Sequence, residues 1–414
     1  MRRLIFTLFI FFLLAPAVLA QGDIAVTKST HEADFPLKIV FRLEATSSSP
    51  INQVTLRYRI VGDVASNKVP IDDLSPGTSV TAEWTWDMRK AYYPPGIEVE
   101  YWWVISNEAG SELKSEHTTF VYEDSRYTWS HRSQDKLHLY WYRGGDEFGQ
   151  ELFDKMVSAA TMLQQDVGVA ALEPIKIYVY GSYDDLHGAL EQQAKEWTGG
   201  VSFSKRGLIL IGISPSNKEW GKRAIAHELS HAIVHQATDN PLGGLPTWLD
   251  EGLAMYAEGP MESRHRRVLD DAIRRNQLIS LRALVSSFPA DPDQAHLSYA
   301  ESLSAFTFML DHYGKDKVSQ LLKVFKRGVH YDDALVEVLG VDTEGLEAQW
   351  HRSLGLPVDA TPVPGTTPVV PTYTPGSGGD YGSPGCSCCS APLGLAALGL
   401  VLLIVRGVLA SNAA

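Results

Sequence analysis

Between Ile24 and about Tyr122, hydrophobic and polar residues alternate with a period of two. Leu37, Ile39, Phe41 and Leu43 share one face of an extended segment, with Lys38, Arg42 and Glu44 on the other. The same alternation runs through Val54-Leu56-Tyr58-Ile60, Val80-Ala82-Trp84-Trp86 and Ile97-Val99-Tyr101-Trp103-Ile105. Turn-forming residues at Ser47 to Pro50, Ser75 to Gly77, Pro94 to Gly96 and Asn107 to Gly110 separate these runs. Short alternating strands divided by such turns predict an all-β sandwich, half-buried on each layer. Trp84, Trp86, Trp102 and Trp103 are read as strand packing, since large aromatics dominate small β cores. Beyond Arg126 the pattern becomes mixed. A strand pair is expected at Tyr127–His131 and Leu137–Tyr142, then a helix from about Glu147 to Val167 with Phe148, Leu152, Phe153, Met156 and Leu163 at helical spacing. Ile175–Tyr180 reads as a strand, Tyr183–Lys195 as a helix and Leu208–Ile213 as an apolar strand. Everything after Ser216 reads as helices, so strands come first and helices last, an α+β order.

Five segments follow: 1–20, 21–125, 126–356, 357–385 and 386–414. The β segment is similar in size and pattern to an immunoglobulin- or fibronectin-like module. Residues 1–20 carry Arg2 and Arg3, an apolar run from Leu4 to Leu14 and the small-residue site Val18-Leu19-Ala20, the features of a secretory signal peptide. From 357 to 385 the chain holds seven of its 22 prolines and no lysine or arginine, which makes this stretch an extended spacer. The last segment holds all three cysteines, Cys386, Cys388 and Cys389, then an apolar run from Ala391 to Val405 and Arg406. It resembles the tripartite C-terminal sorting tails of some bacterial surface proteins, in which the cysteine is the processing or lipid-attachment point. A plain single-span anchor is the competing reading. Both place the protein outside the cytoplasm, tethered to a membrane by its C-terminus.

Composition narrows the chemistry. Of 414 residues, 44% are hydrophobic and 21% charged, the balance of a folded protein. A formal charge of −13 speaks against nucleic acid as a partner, because phosphate contacts need clustered lysine and arginine. With every cysteine in the tail, the folded part can build neither a disulfide nor a thiolate site.

Ser216 to Glu219 has capping-box spacing, so a helix is expected to start there. It continues into His227-Glu228-Leu229-Ser230-His231. Residues four apart share a helix face, so His227 and His231 can reach one zinc ion, with Glu228 beside it to take a proton from water. Two residues compete as third ligand. His235 lies about 12 Å along the helix axis from His227, too far for one tetrahedral ion. The better candidate is Glu251. It follows His231 by twenty residues, after a turn-rich break from Asp239 to Pro246 and a new helix that Thr247 is expected to cap. Two histidines and one glutamate leave a fourth position for water. A metzincin pattern is excluded by Val234 and Ala237.

His227-Glu-Leu-Ser-His231 followed by Trp248-Leu-Asp-Glu251-Gly-Leu-Ala254 resembles the gluzincin metallopeptidases, specifically the peptidase MA-like group, over roughly residues 126–355. The resemblance implies a zincin-like α+β domain holding one zinc per chain, ligated by His227, His231 and Glu251, with Glu228 as general base. It implies Tyr299, in Ser298-Tyr-Ala-Glu-Ser302, as a donor to the transition state, with Tyr256 a weaker rival. It also suggests Leu208–Ile213 as the edge strand that meets an extended peptide, with an ordinary core strand as the equal alternative. One departure stands out. Where some gluzincins place an acid four residues after the third ligand, this chain has Met255, which leaves Asp250 or a backbone carbonyl to orient a histidine. The function expected is hydrolysis of peptide bonds in a peptide or protein substrate. The alternatives are a surface-binding protein with a relict peptidase domain and a zinc hydrolase acting on other bonds.

Overall fold

A computed structural model describes residues 23–90, 93–190, 200–289 and 291–357. The signal-like segment 1–20, the spacer from 358 onward and the cysteine-containing tail lie outside the described residues. Among the described residues, no helix is long and apolar enough to cross a membrane. The chain divides into two compact units, one from residues up to 91 with 98–123 and the other from 92–97 with residues from 124 onward.

In the first unit the alternating runs do form strands: β1 (Ile24–Asp34), β2 (Lys38–Ile60), β3 (Asn67–Pro70), β4 (Gly77–Asp87), β5 (Ile97–Asn107), β6 (Glu112–Lys114) and β7 (Thr118–Tyr122). Their connection departs from the immunoglobulin-like sandwich. All seven belong to one curled, hydrogen-bonded sheet. The reason lies in Ser47 to Pro50, which stays extended where a turn was expected. β2 therefore runs for 23 residues, pairing through its first half with β1 and β4 and through its second with β5 and β3. Side chains hold that crossing. Asn107 Nδ2 donates to Ser47 Oγ at 2.9 Å and to Asp23 Oδ2 at 2.8 Å. The register shifts against β4 and β5 fall at the same place, as expected where a strand changes partners. Ile39, Phe41, Leu43, Leu56, Val99 and Trp103 are fully buried along the inner face. Trp86 and Trp102 are buried nearly as deeply, and Trp84 stacks between Phe41 and Tyr58.

The second unit is built on a five-stranded sheet in the order β11-β12-β10-β9-β8. These strands are β8 (Ser130–Gln134), β9 (Leu137–Trp141), β10 (Ile175–Tyr180), β11 (Gly200–Phe203) and β12 (Leu208–Gly212). The centre, β9-β10-β12, is parallel, and both outer strands are antiparallel. The helix α1 (Gly145–Met162) makes the crossover from β9 to β10, the connection a parallel pair requires. It is continued to Val167 by one wide π turn that ends at Gly168. After α2 (Tyr183–Leu190) the remaining helices are α3 (Lys218–Thr238), α4 (Thr247–Glu258), α5 (Ser263–Arg275), α6 (Pro292–Tyr313), α7 (Lys315–Lys326), α8 (Tyr331–Leu339) and α9 (Thr343–Ser353). Alternation in the strands sets two faces. Leu139, Trp141, Ile177 and Val179 join a core with Leu152, Ile225, Leu229 and Ile233 of α1 and α3. Tyr178 and Tyr180 point the other way, against Trp129.

Three details differ from the sequence reading. Ser216 and Glu219 form no capping box; Ser214 accepts from the Ser216 amide, and Glu219 pairs with Lys222. Thr247 is the first residue of α4 and not its cap, its hydroxyl donating to the Val285 carbonyl at 3.0 Å. β12 is not an edge strand, because β11 covers its outer side; among the described residues β11 is the edge.

Candidate metal centre

The stretch of α3 from Ala224 to Val234 runs through the core, so even its polar residues there are withdrawn from water. His227, Glu228 and His231 are 3%, 8% and 2% exposed. Burying polar groups is costly unless each finds a partner, so their surroundings show what they are for. α4 crosses α3 and brings Glu251, 5% exposed, to the same point. α4 can sit there because Gly252 meets α6 without a side chain; a Cβ at that position would lie 2.6 Å from the Ser302 carbonyl oxygen.

Three atoms converge. His227 Nε2 and His231 Nε2 are 3.2 Å apart, and Glu251 Oε2 lies 3.3 Å from the first and 3.6 Å from the second. A tetrahedral zinc with bonds of about 2.05 Å has ligand-to-ligand edges of about 3.3 Å, so one triangular face of such a site is already drawn. Glu251 Oε2 is buried and makes no hydrogen bond. The donor set, two imidazoles and one carboxylate, is the kind zinc takes in hydrolytic sites. The residues fit the ion, and His227, His231 and Glu251 are grouped as the sequence spacing proposed.

Behind each histidine stands a second carboxylate. His227 Nδ1 donates to Glu258 Oε1 at 2.7 Å, and His231 Nδ1 lies 3.1 Å from Asp250 Oδ1. Glu258 holds the His227 ring by that hydrogen bond with the other nitrogen toward the triangle, while Asp250 faces His231 as an ion pair. Of the two partners the sequence left open, Asp250 or a backbone carbonyl, Asp250 is the one that stands beside His231, and its Oδ2 meets His235 Nε2 at 2.8 Å. His235 is grouped within metal-ligand reach with His231 and Asp250 and not with His227. Glu258 escaped the sequence reading. Its signal was legible, because it lies seven residues after Glu251, two turns along one face of α4. At the position four after Glu251, Met255 packs instead with Tyr299 and Leu303.

The electrostatics favour positive charge here. Burial alone pushes the His227 imidazole down, but Glu251 and Glu258 outweigh it and raise its pKa to about 9. Burial likewise lowers His231, and Asp250 with Glu251 lifts it well above the ordinary value. The carboxyl of Glu251 is opposed by burial yet held down to about 2 by the two histidines. A divalent ion would supply that charge while leaving both imidazoles neutral. Glu228 behaves differently. Burial raises its carboxyl above the usual range, and its Oε2 has no hydrogen-bond partner. Tyr299, on α6, sets its ring 6.4 Å from that of His227 and against Phe288. Tyr256 donates to Asp166 at 3.1 Å and packs on Phe306.

Residues 156–355 match the family model of the Peptidase MA superfamily, a stretch that starts within α1 and ends just after α9. The match takes in every residue of this centre, and it supports a peptidase-like domain of the metallopeptidase type over that stretch, strands β10 to β12 included. Solved structures resemble the chain only in part. OgpA from Akkermansia muciniphila, in a catalytically inactive form with an O-glycopeptide substrate, is 10% identical over 24% of this chain and 29% of its own length, with a TM-score of 0.20. Aminopeptidase A from Legionella pneumophila, in complex with aspartic acid, is 11% identical over 80% of this chain and 49% of its own, with a TM-score of 0.33. A family 56 carbohydrate-binding module that binds β-1,3-glucan is 17% identical over 22% of this chain and 98% of its own, with a TM-score of 0.16. The chain thus spans less than a third of the OgpA structure it resembles. None of the curated proteins matches it.

Proposed function

We propose that the second unit is a zinc-dependent peptidase that hydrolyses peptide bonds in a peptide or protein substrate. The observation that carries this reading is the triangle of His227 Nε2, His231 Nε2 and Glu251 Oε2, with an unpartnered Glu228 oxygen buried beside it. Zinc held by these three residues would supply Lewis-acid activation of water and of the scissile carbonyl. The chain supplies the rest. Glu228 accepts the proton of the attacking water, and its raised affinity for that proton suits it to keep the proton and deliver it to the leaving amine. Tyr299 donates its hydroxyl proton in a hydrogen bond to the carbonyl oxygen as charge develops there. Glu258 and Asp250 keep both imidazoles in place while this happens. β11 offers the sheet edge on which an extended substrate would lie.

The test is zinc content and turnover on the purified full-length chain. One zinc per chain is expected in the wild type and none in His227→Ala. Glu228→Gln is expected to keep its zinc and its fold while peptide turnover drops by about 10³-fold or more. A wild type that folds but takes up no zinc would overturn the reading, as would a Glu228→Gln variant of undiminished activity.

A further inference from the structure

Arg223 stands one helical turn before His227 on α3, on the same face. It makes three contacts beyond its own helix. Nη2 lies 2.8 Å from Glu258 Oε2, Nε lies 3.2 Å from Glu262 Oε1, and Nη1 donates to the Pro260 carbonyl at 3.1 Å. The other oxygen of Glu258 is the one that accepts from His227 Nδ1. A continuous line therefore runs from Arg223 through the two oxygens of Glu258 to His227. Glu258 is also gripped from behind: Lys155 of α1 donates to its backbone carbonyl at 2.8 Å and to that of Ala257 at 3.2 Å. Glu258 is the last residue of α4, where a helix end leaves carbonyls without partners and a side chain is least constrained.

We infer that Arg223 is a positioning residue for the metal centre: by holding the far oxygen of Glu258 it fixes the near one on His227 Nδ1 and so aims His227 Nε2 at the metal. The inference rests on the zinc-peptidase reading but concerns a residue that touches neither metal nor substrate. The guanidinium suits the task because its charge stands 2.8 Å from Glu258 Oε2 while its other nitrogens meet Glu262 and the Pro260 carbonyl, so the far oxygen is held by ion pairing and the cation is itself held in place. The neighbouring Lys222 offers an internal contrast. It pairs with Glu151 and Glu219 instead.

The experiment measures zinc affinity of the full-length protein by competition with a chromogenic chelator, beside the thermal midpoint of each zinc-free variant. Arg223→Met is expected to weaken zinc binding about three- to tenfold, and Glu258→Gln by about tenfold or more. Because Arg223 acts through Glu258, the double variant is expected to bind zinc no more weakly than Glu258→Gln alone. Arg223→Lys is expected to recover most of the loss, and Lys222→Met to match the wild type. Should Arg223→Met fail to fold, Arg223→Gln is read in its place with the same expectation. Wild-type affinity in the Arg223 variant, or losses that multiply in the double variant, would overturn the inference. Equal losses in Lys222→Met would do so too, by reducing the effect to general charge. Absence of zinc from the wild type would instead count against the peptidase reading itself.

Discussion

Tyr299 shows how the work of a single residue depends on what surrounds it. In sequence it is a tyrosine on an apolar helix, as ready to pack as to react. In the structure it does pack, against Phe288 and Met255, but the same packing holds its ring edge-on to His227. Tyr256, the rival, gives its hydroxyl to Asp166. A hydroxyl lost from Tyr299 alone should therefore be felt in the rate and not in the metal. Tyr299→Phe is expected to keep one zinc and a near-normal KM while kcat falls about 10²-fold, read by steady-state kinetics beside metal analysis. A variant with unchanged kcat would remove Tyr299 from the mechanism. The ligands themselves were legible because a helix turn translates spacing into position: His227 and His231 had to share a face. Glu258 was written in the same code, seven residues beyond Glu251, yet nothing in the sequence says which of several acids a second helix will turn toward a ring.

At the scale of the element, the junction between α5 and α6 carries a pH-sensitive contact. Glu301 of α6 is fully buried, and both its oxygens accept from the Ile279 amide, at 3.1 and 3.2 Å. Burial raises its carboxyl, the Ile279 amide opposes the rise, the nearby Glu347 adds to it, and the pKa reaches about 8. A carboxyl raised on folding binds its proton more tightly in the folded state. Its contribution to stability is fullest below the unfolded value of about 4.5 and is lost as pH climbs from there to about 8. Glu301→Gln retains an acceptor for Ile279 and cannot ionise. It is expected to flatten the fall in stability between about pH 5 and about pH 8, by an amount on the order of a few kcal/mol, measured by denaturant unfolding at both ends. Parallel curves for the two proteins would refute the assignment. Other elements mark where local rules gave way to context. Ser47 to Pro50 has the composition of a turn, but β2 passes through it because Asn107 and Asp23 supply partners there. Leu208–Ile213 is apolar enough for a core strand, and β11, which covers it, is only four residues long, too short for the alternation of Val201 and Phe203 with Gly200 and Ser202 to stand out.

For the whole molecule the sequence sets out an order: a signal-like start, a β unit, a peptidase-like unit, a proline-rich spacer and a cysteine-containing apolar tail. We propose that this order exports the protein and tethers it at its C-terminus outside the cytoplasm, the reading that Arg2, Arg3, the run from Leu4 to Leu14 and the run from Ala391 to Val405 support. Removing residues 386–414 is expected to move the protein from the membrane fraction to the medium, followed by immunoblot of the two fractions. Full-length protein found in the medium, or truncated protein retained in the membrane, would contradict the tether. What the sequence determined by itself is whatever depends on near neighbours along the chain. Helix and strand periods and the face shared by His227 and His231 follow from spacing, because the backbone repeats every 3.6 or two residues. What only the tertiary structure decided is whatever depends on groups far apart in sequence: one curled sheet in place of two layers, β11 outside β12, and Glu258 locked between Arg223 and His227. Those choices follow from packing and from the cost of leaving buried charges unpaired, and both are settled only when distant segments meet.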